Sequence, residues 1–408
     1  MTQPLPAAAP LDLAEPVRAG SRARAALFKR LADVVCLPAS RVNTFERSVT
    51  ADLLVDMLRD ADQGERERVA RRLARLTEIP PPLLRLLLND VLEVARPLLE
   101  ECTALGDADL VDCIRRAGAD HRRLIAMRRG LSELVCEALV EPMESTVVEP
   151  LLRNGEARLA PETVHRLLAA SRDHAPYATL LLKRHELRPH HAYTLFWWAP
   201  PEARRTILQR FAVSREVLQD AAGDVFAMAA NEGWSDPVAR KALQFIERRQ
   251  RNRMAIEKSP FASLDDACAA AERGMNRELA EEVGYLSGVK PTTAAKIFTD
   301  PGGEGVAILC KATGLPREAV RQLWRGLRRP EVTASGELHP SLERVLITYD
   351  MLAVDRAQTV LRYWNWSLSS ALNPALLRAI RSGDADGDGG LGSPQRAAAL
   401  ALGPELGG

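Results

Sequence analysis

The chain has 408 residues, of which 46% are hydrophobic, 27% are charged and 5% are aromatic, and its formal net charge is +1. The hydrophobic and charged fractions are those of a folded globular protein. The near-zero net charge excludes a general electrostatic attraction of the whole molecule to nucleic acid or to an anionic membrane. Leu, Ala and Arg dominate and favour helices, so the composition predicts an all-α fold.

The cysteines indicate a reducing compartment. They are scattered along the chain, and no two of them form a C-x-x-C pair. In a chain of this length, that pattern is typical of reduced, mostly buried thiols in a cytoplasmic protein. No secretory signal and no apolar stretch of about 18 residues is visible, so we expect no membrane partner. The cysteines are Cys36, Cys102, Cys113, Cys136, Cys268 and Cys310.

A short recurring step predicts helical repeats. It consists of an apolar loop residue, a residue that can start a helix, and an apolar residue about four positions further on. Its lead residues are spaced by 26, 26, 28, 28 and 26 positions. Such a fixed period is typical of a solenoid, in which each helical hairpin buries its apolar face against its neighbours. The lead residues are Ile79, Leu105, Leu131, Leu159, Leu187 and Val213.

The period has independent support from a repeated segment. Val94–Glu100 returns as Val147–Arg153 with an offset of 53 residues, which is close to two periods, and both copies have a proline before Leu-Leu. Such a proline either starts a helix or kinks it. We expect further steps at Val49, Phe261, Val289 and Leu315.

These patterns divide the chain into five predicted segments. The rhythm is interrupted near Trp234, and residues 238–258 then carry a local charge balance of +5. The fold class is therefore all-α, with an α-solenoid of 26–28-residue helical hairpins followed by a smaller helical domain. The segments are a disordered leader at 1–20, the N-terminal repeat array at 21–236, a basic connector helix at 237–258, a C-terminal helical domain at 259–380 and a flexible Gly-rich tail at 381–408.

Several packing segments carry a resemblance to a known family. In the first half they are Glu65–Ala74, Leu83-Leu84, Asn89-Asp90 and Val94–Glu100, and in the second half Gly305–Leu315. Together they resemble a bacterial HEAT-like repeat family of alphaproteobacterial type, known only as a domain of unknown function. The resemblance covers residues 45–330 and implies HEAT-like helices. The family has no established activity, so the resemblance assigns no functional residue.

A histidine-rich segment is similar to a zinc-protease motif but has the wrong spacing. The zinc motif places two histidines at i and i+4 on one helical turn, with a glutamate between them. In this chain His185 and His190 are five residues apart, and Pro189 lies between them. We expect loop and surface histidines and no bound metal, with a metal site as the alternative. The other histidines of this region are His165, His174 and His191.

The tail contains the first half of a calcium-binding loop. Asp384, Asp386 and Asp388 have the spacing of the first ligands, but Gln395 occupies position twelve, where a bidentate glutamate closes such loops. We expect a solvated tail, with a weak calcium site as the alternative.

Residues 310–323 have the spacing of a helix-turn-helix unit, with Gly314 in the turn. Such a unit would place Arg317, Arg321 and Gln322 against DNA bases or phosphates. The same segment is also one more step of the repeat, and helix packing explains its pattern without DNA.

Arginines recur at matching positions of successive repeats. Equivalent positions of a solenoid align in columns, so these arginines could line one surface stripe that binds an acidic partner or a phosphate backbone. The alternative is that they keep exposed helix faces soluble beside neighbouring glutamates. The candidate binding residues are Arg71, Arg75, Arg96, Arg123, Arg128, Arg184, Arg205 and Arg210.

The remaining patterns favour a binding protein over an enzyme. No phosphate-binding loop, nucleophile elbow or catalytically spaced carboxylate pair is present, so we expect no cofactor. We predict a non-catalytic scaffold that binds a protein partner in the bacterial cytoplasm. The first alternative is a nucleic-acid-binding protein that uses the arginines or residues 310–323. An enzyme similar to HEAT-like DNA glycosylases could use Trp197 or Trp198, but no carboxylate stands out beside them.

Overall fold

The computed structural model describes residues 14–37, 41–213 and 254–370. They form two compact units, one up to residue 160 and one from residue 161. Both consist of α-helices joined by loops, so the expectation of an all-α, repeat-like helical fold is confirmed. The predicted calcium loop, the Gly-rich tail and most of the basic connector lie outside the described residues. Residues 14–20 were predicted to belong to the disordered leader but form the start of the first helix.

The helices of the first unit pack in two layers. Helix α1 packs on α2; helices α2, α4, α6 and α8 follow one another in one layer, and α3, α5, α7 and α9 in the other. This alternation is that of stacked helical hairpins. The helices are α1 Ala14–Val35, α2 Thr44–Arg59, α3 Gln63–Leu73, α4 Pro81–Leu88, α5 Leu92–Glu101, α6 Asp107–Arg116, α7 Ala119–Ala126, α8 Glu133–Val140 and α9 Ser145–Arg153.

The second unit is organised around one central helix. Its described helices are α10 Pro161–Ala170, α11 Ala175–Leu181, α12 Pro189–Leu195, α13 Pro201–Phe211, α14 Leu264–Ala271, α15 Arg277–Leu286, α16 Pro291–Thr299, α17 Glu304–Thr313, α18 Arg317–Gly326, α19 Pro340–Met351 and α20 Val354–Ser370. Helix α17 contacts α16, α18, α19 and α20, and eight of its ten residues are buried. A helix that is apolar all round is expected at such a central position.

The recurring step marks helix starts in both units. Helices α4, α6, α8, α10 and α12 each begin two residues after a predicted lead residue. The late steps at Phe261, Val289 and Leu315 likewise precede α14, α16 and α18. Prolines at the first helical positions and polar caps such as Ser132 explain these starts. The backbone N–H groups of the first turn have no partner within the helix; a cap side chain accepts a hydrogen bond from one of them, and proline lacks the N–H group.

Two details of the repeat differ from or complete the prediction. The step expected at Val49 is wrong, because Val49 lies inside α2, which begins one residue after the N-cap Asn43. Asn43 and Glu46 form a reciprocal capping box, and this cap sets the helix start at Thr44, five residues before Val49. Pro97 and Pro150 are both the sixth residue of their helices, α5 and α9, so each is inside its helix and not at the start.

The cysteines are all free, and five of the six are buried, as the sequence predicted; Cys36 is half-buried. Among the described residues, no helix combines the length and apolar character needed to cross a membrane.

Candidate functional site

Two of the predicted binding arginines hold together successive helical hairpins. Arg128 follows α7 and donates hydrogen bonds to the carbonyls of Leu99 and Cys102 at the end of α5, the latter at 2.8 Å. In the second unit, Arg210 at the end of α13 donates to the carbonyls of Leu182 and Arg184, just after α11. The last carbonyls of a helix lack partners within it, so each guanidinium caps the helix one repeat earlier.

Arg184 is also engaged within the chain. Its buried guanidinium binds the carboxylate of Glu186 in a two-pronged ion pair with Nη2–Oε1 and Nε–Oε2 distances of 2.6 and 3.1 Å. This geometry orients the loop between α11 and α12. The repeat pattern that predicted a binding column therefore includes arginines that serve packing.

The other five candidate arginines are exposed. Arg71 and Arg96 each form an ion pair with a glutamate one turn away on the same helix, at 2.5 and 3.4 Å. Such exposed pairs contribute little to stability. Arg96 and Arg123 are the fifth residues of the stacked helices α5 and α7, which are equivalent positions. Also exposed are Arg75 and Arg205. A basic binding stripe stays a prediction.

An exposed apolar row lies on α2. It consists of Phe45, Val49 and Leu53, which are 77%, 43% and 53% exposed, and we call it the α2 stripe. At 100° per residue these three positions share one face, opposite the buried residues of the same helix. Asp52 and Asp56 lie beside the stripe and are exposed. The α2 stripe is therefore an apolar row that the described residues leave uncovered.

Three buried histidines meet in the second unit. His165 comes from α10, and His190 and His191 come from the first turn of α12. The Nε2 atoms of His165 and His191 are 3.1 Å apart, and the His190 and His191 ring centres are 4.0 Å apart. One ring nitrogen from each histidine lies within 4.8 Å of the others. No other group of three His, Cys, Asp or Glu residues comes this close in the described part of the chain.

Burial favours the neutral form of His190 and His191. Desolvation, with smaller contributions from the neighbouring His165 and Arg188, lowers the pKa of His190 to about 3. Desolvation is also the largest cause for His191, followed by the neighbouring His190, His165 and Arg188, and together they lower the pKa of His191 well below its usual value. His191 Nδ1 accepts a 3.3 Å hydrogen bond from the Arg188 backbone N–H, so its Nε2 carries the proton toward His165.

The sequence did not predict this cluster. His174 and His185 are exposed, as expected, but the expectation of loop and surface positions is wrong for the other three histidines. The spacing contained the signal: His165 and His191 are 26 residues apart, one period of the repeat, and stacked hairpins bring such positions together.

The helix-turn-helix segment is a tight joint between α17 and α18. Gly314 has φ 81°, in the left-handed region, and ends α17, while the Leu315 N–H bonds to the Cys310 carbonyl at 3.0 Å. Arg317 forms an exposed ion pair with Asp350 at 3.2 Å, while Arg321 and Gln322 are half-buried. DNA contact by this segment stays a prediction.

Several aromatic side chains, including Trp197 and Trp198, pack in the second unit. Phe196, Trp197 and Trp364 are buried, with ring centres of Trp197 and Trp364 4.5 Å apart. Trp364 Nε1 donates to the Tyr193 carbonyl at 3.0 Å. Half-buried Trp198 bonds to the Ser171 hydroxyl at 2.9 Å. The side chain of Trp366 lies outside the described residues.

Stacked hairpins, inter-repeat caps and a repeat-spaced core define an all-α helical-repeat protein. Residues 94–362 match the family described as "Uncharacterised protein conserved in bacteria (DUF2336)", and the chain belongs to that family. The expected bacterial family of unknown function is thereby confirmed. The match begins in α5, so the segment Glu65–Ala74 lies outside it and Gly305–Leu315 lies inside. No curated protein and no solved structure matches the chain.

Proposed function

We propose that this chain is a non-catalytic, HEAT-like scaffold that binds a protein partner in the bacterial cytoplasm, and that the α2 stripe is a docking surface. The observation that carries the proposal is the exposure of Phe45, Val49 and Leu53 on three successive turns of one helix. Covering such side chains removes apolar surface from water, which is favourable by about 25 cal/mol for each Å² of apolar surface buried. A partner that covers the stripe supplies this gain.

Charge indicates what the partner presents. Asp52 and Asp56 border the stripe, and Asp56 has only an exposed ion pair with Arg59 at 3.2 Å. A complementary partner therefore has an apolar row bordered by Lys or Arg, which is the pattern of a basic amphipathic helix. Helices of this kind dock into apolar grooves through residues spaced by three or four positions.

The arginine contacts favour a scaffold over nucleic-acid binding. Arg128, Arg184 and Arg210 are committed to carbonyls or carboxylates of the chain. The exposed candidates include Arg71 and Arg96, whose charges are offset by neighbouring glutamates. Phosphate binding needs several uncompensated cations.

The test compares Leu53→Asp with Leu134→Asp. Both leucines are exposed on the first unit, at 53% and 57%, but Leu134 lies on α8 and not in the α2 stripe. Affinity capture from the source cell selects proteins that bind the wild type and Leu134→Asp but not Leu53→Asp. These proteins are purified, and their affinity for the wild type and for each variant is measured directly. The proposal expects Leu53→Asp to weaken that affinity at least about tenfold, or about 1.4 kcal/mol.

Equal retention by both variants would contradict docking on the α2 stripe. The alternative function, nucleic-acid binding, would be favoured by two results together. The wild type would retain nucleic acid that Arg123→Glu and Arg205→Glu do not retain, and Leu53→Asp would lose no protein. Phosphate-driven binding would also weaken steeply with salt.

A further inference from the structure

We propose that His165, His190 and His191 form a binding site for a zinc-type transition-metal ion. This proposal replaces the sequence-based expectation that the chain binds no metal. The side chains of all three histidines are buried, and ring nitrogens from all three lie within 4.8 Å of one another. Zn²⁺ binds imidazole nitrogen at about 2.0–2.1 Å, which puts two tetrahedral ligand atoms about 3.4 Å apart. The observed Nε2–Nε2 distance of 3.1 Å between His165 and His191 is close to this value.

His190 supplies an independent observation. Its side chain is 3% exposed, and neither ring nitrogen has a hydrogen-bond partner within the described residues. Buried polar groups nearly always have partners, and leaving one without costs about 1–3 kcal/mol. A metal ion bound between the rings would satisfy one nitrogen of His190 directly.

The protonation state suits metal binding. Imidazole binds metals in its neutral form. His190 is 3% exposed, and such burial disfavours the charged imidazolium relative to the neutral ring. Three neutral nitrogen ligands favour Zn²⁺, Co²⁺ or Ni²⁺ over Mg²⁺ and Ca²⁺, which prefer oxygen.

The groups next to His165 and His191 would respond differently to a bound metal ion. Glu162 Oε2 lies 3.9 Å from His165 Nδ1, beyond hydrogen-bond distance, so a small movement of Glu162 would be needed for its carboxylate to orient the metal-binding imidazole. His191 would bind through Nε2 and carry its proton on Nδ1. The 3.3 Å hydrogen bond from the Arg188 N–H would then be lost, which predicts a local change at the start of α12. Three protein ligands leave a fourth position for water.

The experiment uses untagged full-length protein, because the histidines of an affinity tag bind the same metals. Chelator-treated protein is titrated with Co²⁺, whose visible absorption reports tetrahedral nitrogen coordination, and the bound Co²⁺ is then displaced with Zn²⁺. The proposal expects one ion per chain. His165→Gln and His190→Gln should each weaken binding by roughly 100-fold or more. The matched control is His174→Gln, an exposed histidine of the same region, which should bind as the wild type does.

A second measurement needs no variant and therefore does not depend on the folding of the substituted proteins. X-ray absorption of the zinc-loaded wild type should show three imidazole nitrogens at about 2.0 Å. A zinc environment with fewer than three imidazoles would overturn the proposal. Absence of stoichiometric Co²⁺ binding, or equal binding by the wild type and the folded His190→Gln variant, would overturn it as well.

Discussion

Arg204 and Asp300 form a buried two-pronged ion pair, with Nη1–Oδ2 and Nη2–Oδ1 distances of 2.6 and 2.8 Å, across 96 residues of sequence. Glu304 Oε2 accepts a further bond from Arg204 Nη1 at 2.9 Å. Burial opposes the charge of the guanidinium, but the two carboxylates outweigh it and raise the pKa of Arg204 above its ordinary value. Through Arg204, Asp300 ties α13 to the end of α16, and Glu304 ties α13 to the start of the central helix α17.

Arg204→Met is predicted to destabilise the second unit strongly. It leaves the carboxylates of Asp300 and Glu304 buried without their cation, and breaking a buried ion pair in this way costs about 3–5 kcal/mol. Urea unfolding followed by tryptophan fluorescence measures the loss, because the described tryptophan side chains, Trp197, Trp198, Trp324 and Trp364, lie in the second unit.

The control for this variant is the adjacent residue. Arg205 is exposed, and Arg205→Met should change the free energy of unfolding by no more than about 0.5 kcal/mol. Equal effects of the two substitutions would show that the buried pair does not stabilise the unit.

Arg128→Met should loosen the end of α5 while leaving the overall helical content unchanged. The substitution removes the donors to the Leu99 and Cys102 carbonyls, and each lost hydrogen bond costs about 0.5–1.5 kcal/mol. Hydrogen exchange should therefore become faster over residues 98–102. Arg129→Met is the matched control, since Arg129 is exposed, and its exchange there should stay at the wild-type rate.

Gly326→Ala is predicted to disrupt the contact between α18 and α14. A Cβ atom at this position would lie 2.0 Å from the carbonyl oxygen of Ala271, and a backbone atom cannot rotate away. Overpacking of this kind costs about 1–3 kcal/mol, measurable by tryptophan fluorescence in urea. The control is Gly305→Ala in α17, whose Cβ would make only ordinary contacts of 3.5 Å or more. That variant should be neutral or stabilising, and a comparable loss in both would rule out the close contact as the cause.

The cysteine thiols should react in a defined order. Desolvation, with a smaller effect of a neighbouring aspartate in each case, raises the pKa of Cys113 to about 11 and of Cys268 to about 12, so neither forms much thiolate at pH 8. Half-buried Cys36 should react first with an aromatic disulfide reagent, followed by mass spectrometry. All six thiols should react in urea. Fast reaction of a second thiol in the native protein would contradict the burial described above.

Local chemistry made the helix starts predictable, whereas contacts between distant segments were not. The period marked the starts of α4, α6, α8, α10 and α12, because a cap or proline and its apolar neighbours lie within a few residues. At Val49 the apolar residues inside α2 have the same spacing as the recurring step, but the helix begins at the Asn43 cap.

The candidate sites depended on tertiary packing. Arg204 and Asp300 meet through the fold of the second unit, and no sequence spacing links them. His165 and His191 could have been paired from their repeat spacing, but His190 joins them only because α12 begins at Pro189 and turns its ring inward. Repeat position alone likewise could not distinguish carbonyl-capping Arg128 from exposed Arg123.

The scaffold function is tested most directly by photo-crosslinking from Phe45 in the source cell. A photoreactive phenylalanine analogue at this 77% exposed position should form an adduct with one partner, through a segment that has an apolar row bordered by Lys or Arg. Adding Leu53→Asp should abolish the adduct, and adding Leu134→Asp should leave it intact. No adduct from Phe45, or an adduct that persists with Leu53→Asp, would contradict docking of a partner on the α2 stripe.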